Sequence, residues 1–304
     1  MPKLIRRSLL LVDISNMSIP EQVLRAGSDV LILNLETVPQ QRRSALSQSE
    51  MLAVITAAAR SAAEVFIRVQ CDTVDMDLEI AVWPGLTGVF LPRAERAEEI
   101  QKASRHLADL ERRRGILEGS IKIDAEIGTA IGALNSLDIA RSSSRLVALS
   151  VGETSLYQDL QLDIEAHLDK DPLRFIKGQN IVNARAAGIQ AQGMSYPLSI
   201  TLEETEESVL KQAVRRARDT GFKGAICPHI SWVKVCNEGF RPSEGEIAYY
   251  RKVRELFADG VRRGLASVPL DGKMIDVPVD RRAKAFLEWG EQCAKRDTEK
   301  AKTS

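Results

Sequence analysis

Eight short apolar, β-branched runs recur along this chain, and longer helical patterns separate them. The runs are Ser8–Asp13, Asp29–Leu35, Glu64–Gln70, Leu86–Leu91, Ser120–Ile127, Arg145–Val151, Gly188–Met194 and Gly221–Cys227, each predicted as a strand. Between them, helices are predicted over Arg42–Ser61, Glu95–Arg113, Thr129–Arg141, Asp171–Ala187 and Thr201–Asp219. Eight strand–helix repetitions point to a closed parallel barrel rather than an open sheet. The fold class expected is therefore α/β: a TIM-type (β/α)8 barrel with a C-terminal helical extension. An open doubly wound sheet is the competitor. No glycine-rich phosphate fingerprint follows the first strand, which counts against its dinucleotide-binding version.

The pattern changes after Cys227. Asn237–Ser243 is expected to be a turn. Ser243, with Glu246 three residues on, then caps a helix running to about Arg263. A loop from Gly264 to Val277 precedes a last helix from Pro278 to about Lys295, and the charged tail beyond it is expected to fray. We assign residues 1–240 to the barrel and residues 241–304 to a helical extension and lid of the same domain.

The 304 residues suffice for a large core. Lysine plus arginine equals aspartate plus glutamate, at 42 each, so the charge balance favours neither nucleic acid nor an anionic membrane. Aromatics at 5% argue against a stacking platform for single strands. No two of the four cysteines are spaced C-x-x-C and there are three histidines, so a Cys/His zinc site is not expected. The sparse thiols fit a reducing compartment. The apolar run Leu9–Val12 is too short for a signal-peptide core and is closed by Asp13. No stretch reaches the roughly 20 apolar residues that span a bilayer. A cytoplasmic protein is expected.

Several segments, in order, resemble the citrate lyase β-subunit and malyl-CoA lyase family of CoA-ester lyases. Arg7–Leu10 resembles its opening strand and Ala26–Glu36 its second helix–strand unit. Phe66–Val69 and Phe90–Arg93 resemble the third and fourth strands, and Ala184–Ile189 the approach to the seventh. Gly221–His229 with Asn237–Ser243 is similar to the eighth strand and its loop, and Gly272–Pro278 to the C-terminal lid. The resemblance covers nearly the whole chain. It implies a (β/α)8 barrel in homotrimers or hexamers that cleaves or forms a carbon–carbon bond in 3-hydroxyacyl-CoA thioesters such as citryl-, citramalyl- or malyl-CoA. It further implies Mg²⁺ on the keto-acid half, an arginine stabilising the thioester enolate, and a lid aspartate from a neighbouring subunit in proton transfer.

Carried over residue by residue, the resemblance makes Arg68 the enolate-stabilising cation, Glu36 its support and Asp276 the lid aspartate, and places Arg93, Thr129 and His229 as substrate-binding candidates. Cleavage leaves negative charge beside the broken bond, where a fixed cation is worth several kcal/mol. Each candidate also has a plain structural reading. Arg68 and Glu36 would be a barrel-mouth ion pair, Asp276 a cap before Pro278, and His229 a hydrogen-bonded strand-end residue. Arg6, Arg7 and Lys3 would either meet CoA phosphates or be a solvated N-terminus.

The metal site is where the pattern departs from the family. Gly128, in Ile127–Asn135, stands for the family glutamate, Ser155 for an aspartate, and Thr37 for another. Mg²⁺ is held by one or two carboxylates with water and substrate, so their loss should remove most of its affinity. Glu126 and Asp124 precede Gly128 by two and four residues and share its barrel-facing side. Two residues are ~6.6 Å of strand, so Glu126 would root one layer deeper, and Glu153 bears the same relation to Ser155. These acids are either substitute ligands or partners of buried cations. Asp13, Asn34 and Trp232 also replace a family proline, aspartate and glutamine. Three functions remain open: a binder of acyl-CoA or a dicarboxylate-like ligand with a decayed metal centre and reduced or no activity; an active lyase with relocated ligands or a metal-free mechanism; and a non-catalytic structural or regulatory subunit.

Overall fold

The computed structural model describes residues 5–162, 171–194 and 206–302. All eight predicted strands form: β1 (Ser8–Asp13), β2 (Val30–Asn34), β3 (Glu64–Arg68), β4 (Gly88–Leu91), β5 (Lys122–Ile127), β6 (Leu146–Val151), β7 (Gln190–Gln192) and β8 (Ala225–Cys227). Every pair is parallel, in the order β7-β6-β5-β4-β3-β2-β1-β8. The two remaining edges meet at a bridge between Gln192 and Gly224, where Gly193 N donates to Gly224 O at 2.9 Å and Lys223 N to Ala191 O at 3.1 Å. The result is a nearly closed TIM-type (β/α)8 barrel with a helical C-terminal region.

Strand periodicity sorts the apolar residues into two cores. Leu10, Leu31, Leu33, Ile67, Val89, Ile123 and Leu149 pack with helix residues such as Ile55, Leu107 and Ile139. Their neighbours in sequence, Leu9, Val30, Ile32, Phe66 and Phe90, form a separate buried cluster inside the barrel. Alternate residues of a strand face opposite sides, so one set holds the helices on and the other fills the interior. Between β5 and β6 the register shifts after Ile123, which pairs with Leu146, so that Asp124 pairs with Ala148 and Glu126 with Ser150.

Several helices differ from expectation for local reasons. The predicted Arg42–Ser61 helix is two, Gln40–Ser44 and Gln48–Ala59, because Ser47 and Glu50 close a capping box at the second start. Thr129–Arg141 divides into Ala130–Leu134 and Ser136–Arg141 around Asn135. Helix Val74–Ala81 was not anticipated. The start of the predicted Thr201–Asp219 helix lies outside the described residues, as does Lys3, and the helix itself is Glu207–Thr220. Asn237–Ser243 is not all turn, since a helix runs over Ser231–Gly239.

Arg6 and Arg7 are neither solvated nor available to a phosphate. Arg7 is fully buried, with Nε 2.8 Å and Nη2 3.0 Å from the two carboxylate oxygens of Asp29, and Arg6 Nε lies 2.6 Å from Glu64 Oε2. Both precede β1, at the barrel end opposite the one where strands deliver functional side chains, and buried guanidinium groups require such partners.

By backbone contacts the barrel unit is Arg6–Phe240, and a second unit holds Ile5 with Arg241–Lys302. In the second unit, Ser243 and Glu246 form the anticipated capping box of helix Glu244–Arg262. The expected Gly264–Val277 loop contains an antiparallel hairpin, β9 (Val268–Leu270) with β10 (Lys273–Ile275). The last helix runs over Val277–Ala301 and does not end near Lys295, because Arg296 and Lys300 are themselves buried. Val253, Phe257, Val268, Leu270, Ile275 and Ala283 form this unit's own core. No helix among the described residues is long and apolar enough to cross a membrane.

Candidate functional site

The C-terminal ends of β2, β3 and β5 converge on one guanidinium. Arg68, the last residue of β3, donates from Nε to Glu36 Oε2 at 2.6 Å and from Nη1 to Glu126 Oε2 at 2.8 Å. Its Nη2 lies 3.5 Å from Glu126 Oε1, and its guanidinium carbon sits 5.1 Å from the centre of the Phe90 ring. Burial works against the charge on Arg68, but Glu126 and then Glu36 outweigh it and hold the group more firmly protonated than a free arginine. The Arg68 and Glu126 side chains are only 15% and 5% exposed, so solvent screens the pair little.

Glu36 is presented by a one-turn 3-10 helix, Leu35–Thr37, after β2. Asn34 caps that turn by accepting from Glu36 N at 3.2 Å, and Thr37 Oγ1 donates to Asn34 O at 2.7 Å. Both polar side chains are thus engaged in local backbone geometry. Asp13, at the end of β1, accepts from Ser15 N at 2.7 Å, and that bond holds its carboxyl below the usual aspartate range.

Glu126 reaches Arg68 through space that two glycines leave open. A Cβ on Gly152 would stand 2.7 Å from Glu126 Cδ and 2.8 Å from its Cγ. A Cβ on Gly128 would stand 3.4 Å from Glu126 Oε1 and 2.9 Å from the Cβ of Ser155. The carboxylate rooted one layer down therefore rises to the rim beside the positions where the resemblance placed metal-binding acids.

Deeper in the barrel, Asp124 is fully buried, and burial pushes its carboxyl up to about 7. Its Oδ1 lies 2.9 Å from Ser150 Oγ, which lies 2.8 Å from Gln192 Oε1. Glu153, the first residue of helix Glu153–Asp159, is tied to Lys177 Nζ at 2.9 Å, and Lys177 also meets Asp171 at 2.8 Å. Burial raises the Glu153 carboxyl to about 7, with Lys177 opposing the shift.

A cavity of about 280 Å³ opens above this group. Asn34, Glu36, Arg68, Glu126, Glu153 and Gln192 supply its polar wall, while Leu11, Ile32, Val151, Met194, Ile226 and Trp232 supply apolar wall. Thr129 is buried as an N-cap, its hydroxyl accepting from Gly132 N at 3.0 Å. Arg93 is exposed and borders a separate cavity of about 460 Å³ with Asp72, Asp75, Glu95, Glu99 and Lys102. His229 is exposed, its Nδ1 2.8 Å from Ser231 Oγ. Asp276 belongs to the C-terminal unit and caps the last helix, accepting from Val279 N at 3.2 Å. The structure thus joins Arg68, Glu36 and Glu126 in one cluster and gives Thr129 and Asp276 helix-capping bonds.

Sequence reading missed Gly152, Ser150 and Gln192. The pair Gln190 and Gln192, polar at alternate positions of a run otherwise apolar, was the available signal for the last. Among the described residues, no cluster of three or more His, Cys, Asp or Glu side chains is arranged to hold a metal ion.

A sequence model of the HpcH/HpaI aldolase/citrate lyase family matches residues 7–229. The chain is 29% identical over 213 residues to the citrate lyase subunit beta of Haemophilus influenzae, covering 70% of this chain and 71% of that one. It is 25% identical over 289 residues to the same subunit of Escherichia coli, covering 94% and 93%. Among solved structures, protein CitE from Mycobacterium tuberculosis, in complex with magnesium, acetoacetate and coenzyme A, superposes with a TM-score of 0.67 at 21% identity. That superposition covers 95% of this chain and 99% of CitE and shows a shared fold.

Proposed function

This chain belongs to the HpcH/HpaI aldolase/citrate lyase family, and from that premise we propose that its barrel is CoA-ester lyase-like, binding an acyl-CoA at the C-terminal mouth with reduced or no Mg²⁺-dependent lyase activity. The observation that carries the proposal is the commitment of both rim carboxylates, Glu36 and Glu126, to Arg68. A divalent cation needs oxygen ligands free to turn toward it in near-octahedral geometry. Gly128 and Ser155 offer no carboxylate, and Glu153 is engaged by Lys177. The donor set does not fit Mg²⁺.

The same arrangement weakens Arg68 as a catalyst. Carbon–carbon cleavage of a 3-hydroxyacyl thioester develops charge on the thioester oxygen, and a pre-placed cation lowers that barrier less where neighbouring carboxylates already offset its field. Two carboxylates compensate Arg68 before any substrate arrives. An acyl-CoA is still a suitable ligand, because the cavity wall is largely apolar and stands at the strand ends where barrel enzymes bind. The assembly proposed is a homotrimer or hexamer. Leu134 and Phe175, 79% and 80% exposed, leave apolar surface that another copy would cover.

Two titrations test the proposal. Acetyl-CoA is expected to raise the melting temperature, by the equivalent of ~2.7 kcal/mol at a hundredfold excess over its dissociation constant. MgCl₂ followed by calorimetry is expected to give no stoichiometric heat. Stoichiometric magnesium binding would overturn the loss of the metal centre, and no stabilisation by acetyl-CoA would overturn the assignment as an acyl-CoA binder.

A further inference from the structure

The 280 Å³ cavity has two unlike halves. The ends of β2, β3 and β5 bring Glu36, Arg68 and Glu126 to one of them. The strands β7, β8 and β1, neighbours round the barrel, bring Met194, Ile226, Pro228 and Leu11 to the other. Register explains why the last three share a face. Ile226 pairs with Leu9, a member of the cluster inside the barrel, and both Ile226 and Leu11 pack against that cluster. Leu11 lies two residues beyond Leu9, and Pro228 two beyond Ile226, so each points to the same side one layer nearer the mouth.

The apolar half is also where the sheet is least closed. The other neighbouring strands share ladders, whereas β7 and β8 meet at the bridge between Gln192 and Gly224. Past that level no ladder joins them among the described residues, and Trp232, from the helix Ser231–Gly239 that follows β8, stands in the same cavity wall. Leu11, Ile226 and Pro228 are each half-buried, so they keep surface that a ligand can cover. Hydrocarbon laid on them displaces water from apolar wall, which is favourable in proportion to the area covered. The same hydrocarbon laid on the other half would strip water from Glu36 and Arg68 and give nothing back.

We infer, on the reading of this mouth as an acyl-CoA site, that the half formed by β7, β8 and β1 is a subsite for an unbranched hydrocarbon chain, so that the acyl group preferred by this protein is a saturated one longer than acetyl. Leu11, Ile226 and Pro228 are its contact surface, and Met194 and Trp232 complete its wall. Ile226 and Leu11 are then specificity-determining residues, acting through the apolar area they offer and through no bond to the reacting atoms.

Acetyl-CoA and butyryl-CoA differ by two methylenes and share everything else, so their affinity ratio reads the subsite alone. A fully buried methylene contributes ~0.8 kcal/mol, which is about fourfold in affinity, and calorimetric titration of the full chain is expected to show butyryl-CoA binding about fivefold tighter than acetyl-CoA or more. In Ile226→Thr and in Leu11→Thr, which each put a hydroxyl on the contact surface, that ratio should fall about threefold. In Phe175→Ser, at an exposed apolar position that does not border the cavity, it should not change. Because each result is a ratio within one protein, a partly unfolded variant does not mimic it. Equal affinity for the two esters overturns the inference and leaves the acyl-CoA assignment standing. An unchanged ratio in both threonine variants overturns it too, as does a ratio lost in Phe175→Ser, which would put the chain on the outer surface. Ligand-observed NMR with 1-hexanol, a chain without CoA, separates the two readings. Should neither ester bind, hexanol binding that weakens in Ile226→Thr sinks only the acyl-CoA assignment, and hexanol binding that is absent or indifferent to Ile226→Thr sinks the subsite as well.

Discussion

The Glu126 carboxyl group lies in the volume that a side chain on Gly152 would fill, 2.7 Å from the position of a Cβ there. Gly152 has φ −86° and ψ 79°, accessible to any residue, so its constraint is space and not backbone conformation. The pairing of Glu126 with Arg68 therefore depends on a residue that neither of them bonds to.

Gly152→Ala should push Glu126 off Arg68 and cost about 1–3 kcal/mol, as overpacking of a buried site does. Removing the obstructing side chain at the same time should recover part of that loss. The double variant Gly152→Ala with Glu126→Ala is expected to be more stable than the sum of the single changes, with a coupling of about 0.5–3 kcal/mol. Urea denaturation of the four proteins measures it, and strict additivity would refute the steric coupling.

The fold was legible because strand spacing and the alternation of outward and inward apolar residues repeat eight times, and β1 formed over the anticipated Ser8–Asp13. What escaped were features set by single residues. Asp271 and Gly272, both at positive φ, turn β9 into β10 as a two-residue loop, yet the segment read as irregular because its strands are three residues each. The Arg68–Glu36 pair was readable from strand-end positions and charge. Periodicity puts Glu126 on the correct face, but its rise to Arg68 depends on Gly152, and no periodic pattern reports that a glycine at the end of the neighbouring strand leaves a hole. Arg6 and Arg7 looked solvated because their partners, Glu64 and Asp29, are distant in sequence.

Arg7 and Asp29 are both fully buried and form a bidentate pair. Arg7→Met keeps most of the volume and leaves the Asp29 carboxylate without its counter-charge, a change that costs about 3–5 kcal/mol in such sites. Asp29→Asn should cost less, because the amide oxygen can still accept from Arg7. Equilibrium denaturation compares them; an Arg7→Met variant within 1 kcal/mol of the parent (about the size of a weak surface pair) would contradict the burial described.

Asp124 carries a pH signature. Its carboxyl titrates at about 7 when folded, raised by burial, against roughly 3.9 in an unfolded chain. Between those values the folded state binds the proton more tightly, so νU is smaller than νN and stability falls as pH rises. The contribution is complete below about pH 4 and is lost as pH climbs through about 7, with a slope of at most ~1.4 kcal/mol per pH unit. Glu153 is shifted the same way and adds to the trend. Asp124→Asn cannot titrate, so the difference in unfolding free energy between parent and variant should change with pH from 4.5 to 7.5 in that direction. A pH-independent difference would show that Asp124 is ionised throughout.

If the proposed loss of the metal centre is right, acids at Gly128 and Ser155 are the substitutions to test, and the geometry argues that two are too few. A Cβ at 128 would stand 2.9 Å from the Ser155 Cβ, 3.2 Å from the Arg93 Cγ and 3.4 Å from Glu126 Oε1, so a glutamate there meets two steric obstacles and a like charge. Gly128→Glu with Ser155→Asp is therefore expected to lose stability by about 1–3 kcal/mol and to gain little magnesium affinity. Adding Glu126→Gly vacates the space and leaves Arg68 paired with Glu36 alone, and the triple variant should bind Mg²⁺ at least tenfold tighter than the double, a difference of about 1.4 kcal/mol. Calorimetric titration with MgCl₂ decides the matter. Full affinity in the double variant would show that Glu126 yields its place readily, and no affinity in the triple would show that carboxylates at these two positions do not suffice to hold the ion.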